Sequence, residues 1–185
     1  MSNMQELLDF NKKFVEGKRY EPLETTKYPN KKVAILSCMD TRLTELLPAS
    51  MNLKNGDVQI IKNAGAVISH PFGSIMRSLL IAVYQLNVEE IMVIAHDDCG
   101  MERLDASSFI QKMRDRGIPD SKIDMIKYCG IDLAKWLKGF ENVRESVLET
   151  VHTIRNHPLM PDNIQVQGFV MNSRTGELSP ICEEA

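Results

Sequence analysis

A chain of 185 residues, 43% hydrophobic and 25% charged, holds enough apolar material for one globular domain with a buried core, and too much for a disordered one. Its 22 basic and 25 acidic residues give a net charge of −3 with no basic run, so charge suggests neither nucleic acid nor an anionic membrane as a partner. The N-terminus lacks the apolar core and cleavage site of a secretory signal, and no apolar run approaches the roughly 20 residues that cross a bilayer, so the expectation is a cytoplasmic chain whose mature form begins at Met1.

Ser2 to Val15 reads as a helix, with Ser2-Asn3-Met4-Gln5 as a capping box and Met4, Leu7 and Leu8 on one face. So thin an apolar stripe fits either a surface helix or an arm packed on another subunit. Lys18 to Lys32, with Pro22 and Pro29, is a connecting loop. Val33 to Ser37 is an apolar strand, Thr44 to Leu47 opens a short helix ended by Pro48, and the turn Asn55-Gly56-Asp57 precedes a strand from Val58 to Lys62. That strand runs into Asn63-Ala64-Gly65, where glycine permits a tight bend or a close backbone approach.

Phe72, Ile75, Met76, Leu79, Leu80, Val83 and Leu86 follow helical spacing between Pro71 and Asn87. Ile91 to Ala95 then completes a strand-helix-strand-helix-strand order, which predicts an α/β fold built on a mainly parallel β-sheet flanked by helices. Beyond Met101 the pattern turns helical and more polar, broken near Gly117-Ile118-Pro119 and Cys129-Gly130, with helices over Ser107–Arg116 and Ile131–Lys138. Phe140, Val143, Val147, Val151 and Ile154 mark a cleaner helix that stops before Pro158. Alternation at Ile164, Val166 and Val170, a turn at Asn172 to Gly176, and Leu178 to Ile181 with Pro180 predict a C-terminal hairpin at a sheet edge. With no repeat or linker, residues 1–185 read as a single domain.

Four cysteines at irregular spacing read as thiols or metal ligands rather than disulfides. His96 and Cys99 fall in one turn after a strand, and Cys38 directly follows another. In an open parallel sheet ligands gather at such strand ends, so Cys38, His96 and Cys99 form a Cys2His set with one coordination position left over, as in a catalytic zinc site. The plainer reading is two buried thiols and a core histidine. Zinc suits two thiolates and an imidazole, and would bring the ionisation of water near neutral pH for attack on an electrophilic carbon. Asp40 could orient that nucleophile or ligate the zinc and close the site, with Arg42 deciding between the two through a two-pronged hydrogen bond. Gly100 could bring its backbone N–H to an anionic intermediate. Asp97 and Asp98 read as solvated loop carboxylates, and His70 is a candidate proton shuttle on pKa grounds alone. A helix surface accounts for His152 and His157, and Cys129 and Cys182 lack a metal-like context.

Together, Cys38-x-Asp40-x-Arg42, Asn63-Ala64-Gly65 and His96-x-x-Cys99-Gly100 resemble the β-class carbonic anhydrases in order and spacing, from about residue 31 to the closing hairpin. The resemblance implies one zinc ion per chain, held by Cys38, His96 and Cys99, that serves the interconversion of carbon dioxide and bicarbonate. It casts Asp40 and Arg42 as the catalytic dyad and Gly100 as a backbone contact to substrate. It further implies the family's parallel sheet and a homodimer or dimer of dimers, which favours residues 1–30 as an N-terminal helical arm and loop. This chain departs from many relatives at Ala95, Asp97 and Met101, and carries Lys62 where an arginine often stands; a lysine cannot reproduce a bidentate fork. Some relatives with the same ligand set hydrolyse carbon disulfide or carbonyl sulfide, and a zinc centre capped by Asp40 would be a non-enzymatic interaction module.

Overall fold

The computed structural model describes residues 2–182. The apolar runs form the strands β1 (Val33–Cys38), β2 (Val58–Asn63), β3 (Glu90–His96) and β4 (Gln165–Met171), and the last strand, β5, spans Leu178–Ile181. They make one sheet in the order β2-β1-β3-β4-β5. The first four strands pair in parallel, and β5 returns antiparallel on the β4 edge, as expected for the closing hairpin. Because the chain steps from β1 outward to β2 and then back across to β3, the order reverses between β1 and β3. A crevice at the C-terminal ends of those two strands is where such a sheet takes a ligand.

Both faces of the central strands are covered, which is why β1 reads as an unbroken apolar run. On one face Ala34, Leu36, Ile91, Val93 and Ala95 pack under α3 (Ser74–Leu86) and α7 (Val143–Arg155). Gly168 of β4 faces α7 so closely that a Cβ there would lie 2.5 Å from Val147 Cγ1. On the other face Ile35, Ile94 and Met171 pack against Leu43 and Leu47 of α2 (Leu43–Ser50), in the cluster that also holds Cys38 and Cys99.

Several elements differ from the sequence expectation. Helix α2 runs through Pro48 rather than stopping at it. Proline cannot donate to the carbonyl four residues back, but the complete burial of Leu43 and Leu47 secures the extra turn. Helix α3 starts after an extended Gly73, so Phe72 lies outside it, exposed and tilted against the His157 ring. Between α4 (Ala106–Asp115) and α6 (Leu133–Leu137) stands an additional helix, α5 (Asp120–Tyr128), which buries only Ile123 and so has almost no apolar stripe to reveal it.

The N-terminal helix α1 spans Asn3–Glu16. Ser2 caps it by accepting from the Gln5 N–H, but the Gln5 side chain turns to Asp9, so only half of the capping box forms. No residue of α1 is buried, and Met4, Leu7, Leu8 and Phe10 are exposed. Among the described residues no helix is long and apolar enough to cross a membrane.

Candidate metal centre

The register of the parallel strands sets the site. Ser37 lies beside Ile94, which places Cys38 and His96 together at the C-terminal ends of β1 and β3, and the turn after β3 folds Cys99 back onto them. The ligand atoms of Cys38, His96 and Cys99 all lie within 4.8 Å of one another, and all three residues are buried. The two Sγ atoms are 3.8 Å apart. Two thiolates about 2.3 Å from a tetrahedral zinc stand about 3.8 Å from each other, so this spacing suits the metal.

The imidazole is equally prepared. His96 Nδ1 is 2.7 Å from the Asp97 carbonyl, which can only accept, so Nδ1 carries the proton and Nε2 keeps its lone pair. That Nε2 is buried and has no hydrogen-bond partner. An orphaned basic nitrogen facing two sulfur atoms fits a soft divalent cation.

The thiols titrate as a pair. A hydrogen bond from Cys99, helped by His96 and the Gly65 N–H and opposed by burial, pushes the Cys38 thiol down to about 4. The same bond to the Cys38 thiolate, and then burial, pushes the Cys99 thiol up. One proton thus holds two sulfurs together, and a divalent cation does the same work for two thiolates. On His96, burial favours the neutral ring, but the Cys38 thiolate and the Asp97 carbonyl outweigh it and raise the pKa.

Gly65 closes the floor. It has φ +84°, and its N–H lies 3.4 Å from Cys38 Sγ. A Cβ there would sit 3.1 Å from the Phe140 ring and 3.3 Å from Met101, so the position needs glycine for conformation and for space. Asn63 ties the bend by exchanging hydrogen bonds with the Val67 backbone. Beside Gly100, the residue after Cys99, a Cβ would meet nothing within 4 Å.

Asp40 and Arg42 form the bidentate pair read from the sequence. Arg42 Nε donates to Asp40 Oδ1 at 3.0 Å and Nη2 to Oδ2 at 2.9 Å, while the Arg42 backbone N–H also donates to Oδ1. The Arg42 side-chain hydrogen bonds hold the Asp40 carboxyl far below the usual carboxylate range, against partial burial. Asp40 Oδ2 lies 3.8 Å from His96 Nε2, at the rim of the cluster. Lys62 reaches the backbone and donates to the Cys38 and Leu43 carbonyls at 3.1 and 3.4 Å.

The loop carboxylates are more engaged than expected. Asp97 Oδ1 accepts the Ser173 N–H at 2.7 Å and ties the β4–β5 turn to the metal loop. Asp98 is solvated but also paired with Arg42, through Oδ2 at 2.9 Å and through its backbone carbonyl at 2.8 Å. Ser173, absent from the sequence reading, accepts from Arg42 Nη1 at 3.3 Å. Only proximity in the fold reveals it, since it lies 131 positions from Arg42 in a polar turn. His157 is buried rather than on a helix surface, because the chain turns inward after α7 and its Nδ1 accepts from the Leu159 N–H. His70 is exposed, with Nδ1 accepting from the Phe72 N–H, and Cys129 and Cys182 are exposed free thiols outside the cluster.

Residues 33–178 match the family model for carbonic anhydrase. The chain is 54% identical over 181 residues to "Putative carbonic anhydrase YtiB" of Bacillus subtilis, covering 98% of this chain and 97% of that one. It is 27% identical over 157 residues to a carbon disulfide hydrolase of Acidithiobacillus thiooxidans, over 82% of this chain and 77% of the relative. The crystal structure of β-carbonic anhydrase isoform I from Trichomonas vaginalis aligns over 100% of both chains with a TM-score of 0.89 at 31% identity.

The Asp97–Ser173 tie generates a pH-dependent prediction. Hydrogen bonds from Ser173 depress the Asp97 pKa, so its stabilisation is complete above the unfolded value of about 3.9 and is lost as pH falls through the folded one. Asp97→Ala is expected to cost about 1–2 kcal/mol near neutral pH, and clearly less near pH 3. Urea denaturation at the two pH values checks this, and an equal loss at both would contradict it.

Proposed function

The chain belongs to the β-class carbonic anhydrase family, and from that premise we propose that it catalyses the reversible hydration of carbon dioxide to bicarbonate and a proton. The observation that carries the reading is the buried Cys38–His96–Cys99 cluster with an ionised carboxylate at its rim. Cys38, His96 and Cys99 would hold one zinc ion, whose Lewis acidity, when bound, brings the ionisation of water into the neutral range.

The other groups select and orient. Asp40, ionised at any physiological pH, is an acceptor only, so it takes a hydrogen bond from a water or hydroxyl at the cluster rim and fixes which lone pair faces the carbon. Arg42 fills both Asp40 oxygens from one side and turns the carboxylate's remaining lone pairs toward the cluster. Gly100, directly after Cys99 and with open space beside it, would offer its backbone N–H to substrate. The product proton leaves to buffer.

The carbon disulfide hydrolase relative supports a second reading, in which the same residues act on carbon disulfide or carbonyl sulfide. Both substrates present a linear, electrophilic carbon, so turnover of each separates the two readings.

We read residues 1–185 as one domain and residues 1–30 as an arm that packs on a second copy, since α1 buries nothing within its own chain. Four free thiols among the described residues suit a cytoplasmic setting. The double variant Leu7→Glu, Leu8→Glu is expected to lower the sedimenting mass below that of the wild-type dimer; an unchanged dimer would remove α1 from the interface.

For the reaction, stopped-flow hydration of carbon dioxide from about pH 6.5 to about pH 9, on protein of known zinc content, is expected to show activity that rises with pH and vanishes on chelation. Cys38→Ser is expected to lose zinc and activity together. Asp40→Ala is expected to keep zinc and lose about 10- to 100-fold in rate. Fully loaded wild-type protein without hydration at any pH would overturn the assignment.

A further inference from the structure

We propose that Asp98 is a positioning residue for the Arg42–Asp40 pair, a clamp on the far side of the guanidinium that keeps Asp40 aimed as the hydration reaction requires. The inference rests on the reading of Asp40 and Arg42 given above.

Arginine offers five N–H groups in one plane, and at Arg42 all five are engaged. Nε and one Nη2 hydrogen go to Asp40, the other Nη2 hydrogen goes to the Asp98 carbonyl, and the two Nη1 hydrogens go to Asp98 Oδ2 and Ser173 Oγ. Asp98 therefore supplies two of the five acceptors, and both face away from Asp40. It can do so because its backbone is left-handed, with φ 52°, which turns its carbonyl and its side chain toward one partner. Aspartate is among the few non-glycine residues that tolerate this region.

An exposed ion pair alone stabilises a fold little, and the Asp98 side chain is 84% exposed. Its value lies in orientation. With Asp98 and Ser173 in place, the guanidinium cannot turn about its terminal bonds without breaking several hydrogen bonds at once. Without the Asp98 carboxylate, Nη1 keeps one partner, the fork loosens, and the Asp40 carboxylate, 3.8 Å from His96 Nε2, is free to turn onto the metal donors. The clamp thus opposes the closed state in which Asp40 caps the centre.

Two variants isolate it. Asp98→Gly keeps the left-handed backbone and the carbonyl but removes the carboxylate, and Asp98→Asn keeps the shape and removes the charge. In zinc-loaded protein carrying 15N-arginine, wild-type Arg42 is expected to show separate Nη signals from a guanidinium that turns slowly. Asp98→Gly is expected to average them, and Asp98→Asn to fall between. In parallel, kcat/KM for carbon dioxide hydration is expected to fall about tenfold in Asp98→Gly and to recover in part in Asp98→Asn.

Unchanged Arg42 signals in Asp98→Gly would overturn the clamp, as would averaged signals with wild-type kcat/KM. Absence of hydration by the wild type would fail the functional reading instead, and the Arg42 signals would still decide whether Asp98 holds the guanidinium.

Discussion

The candidate centre depends on the parallel pairing of β1 with β3. That register places Cys38 and His96 side by side where both strands end, and it is held by a two-sided apolar core in which Leu36, Ile94 and Ala95 are almost wholly buried. The ligands are therefore fixed by strands rather than by mobile loops, and only Cys99 is supplied by a turn. A buried imidazole lone pair facing two sulfurs is costly on its own. The fold pays that cost to keep three donor atoms within 4.8 Å of one another.

Charge arrangement follows from the same placement. The two sulfurs sit so close that they ionise as a pair, with the Cys38 thiol pushed down and the Cys99 thiol pushed up. Around this negative core, Lys62 holds the backbone of Cys38, and Arg42 takes up the carboxylates of Asp40 and Asp98. The β4–β5 turn joins through Ser173 and Asp97, so the edge hairpin belongs to the site as well as to the sheet. This places the groups that orient Asp40 on three separate segments that meet only in the folded chain.

Much of this was legible in the residues. Apolar runs gave the strands, and chemistry-bearing residues directly after two of them, Cys38 and His96, marked the crevice. Asp40 and Arg42 were readable because a two-residue spacing lets one fork reach one carboxylate. What lay beyond reach were pairings across the chain: nothing local predicts that Ser173 meets Arg42, or that Asp98 adopts a left-handed backbone to present two acceptors. Pro48 misled because its helix-breaking effect is local, whereas the burial of Leu47 that overrides it is tertiary. Helix α5 and the inward turn to His157 escaped for the related reason that neither leaves an apolar stripe in the sequence.

The central claim is that Cys38, His96 and Cys99 together hold one zinc and leave a position open. X-ray absorption at the zinc edge of the purified, zinc-loaded chain tests it most directly. About two sulfur neighbours near 2.3 Å and about two nitrogen or oxygen neighbours near 2.0–2.1 Å are expected for each zinc. A shell with no more than one sulfur, or zinc that does not stay bound at one ion per chain, would contradict it.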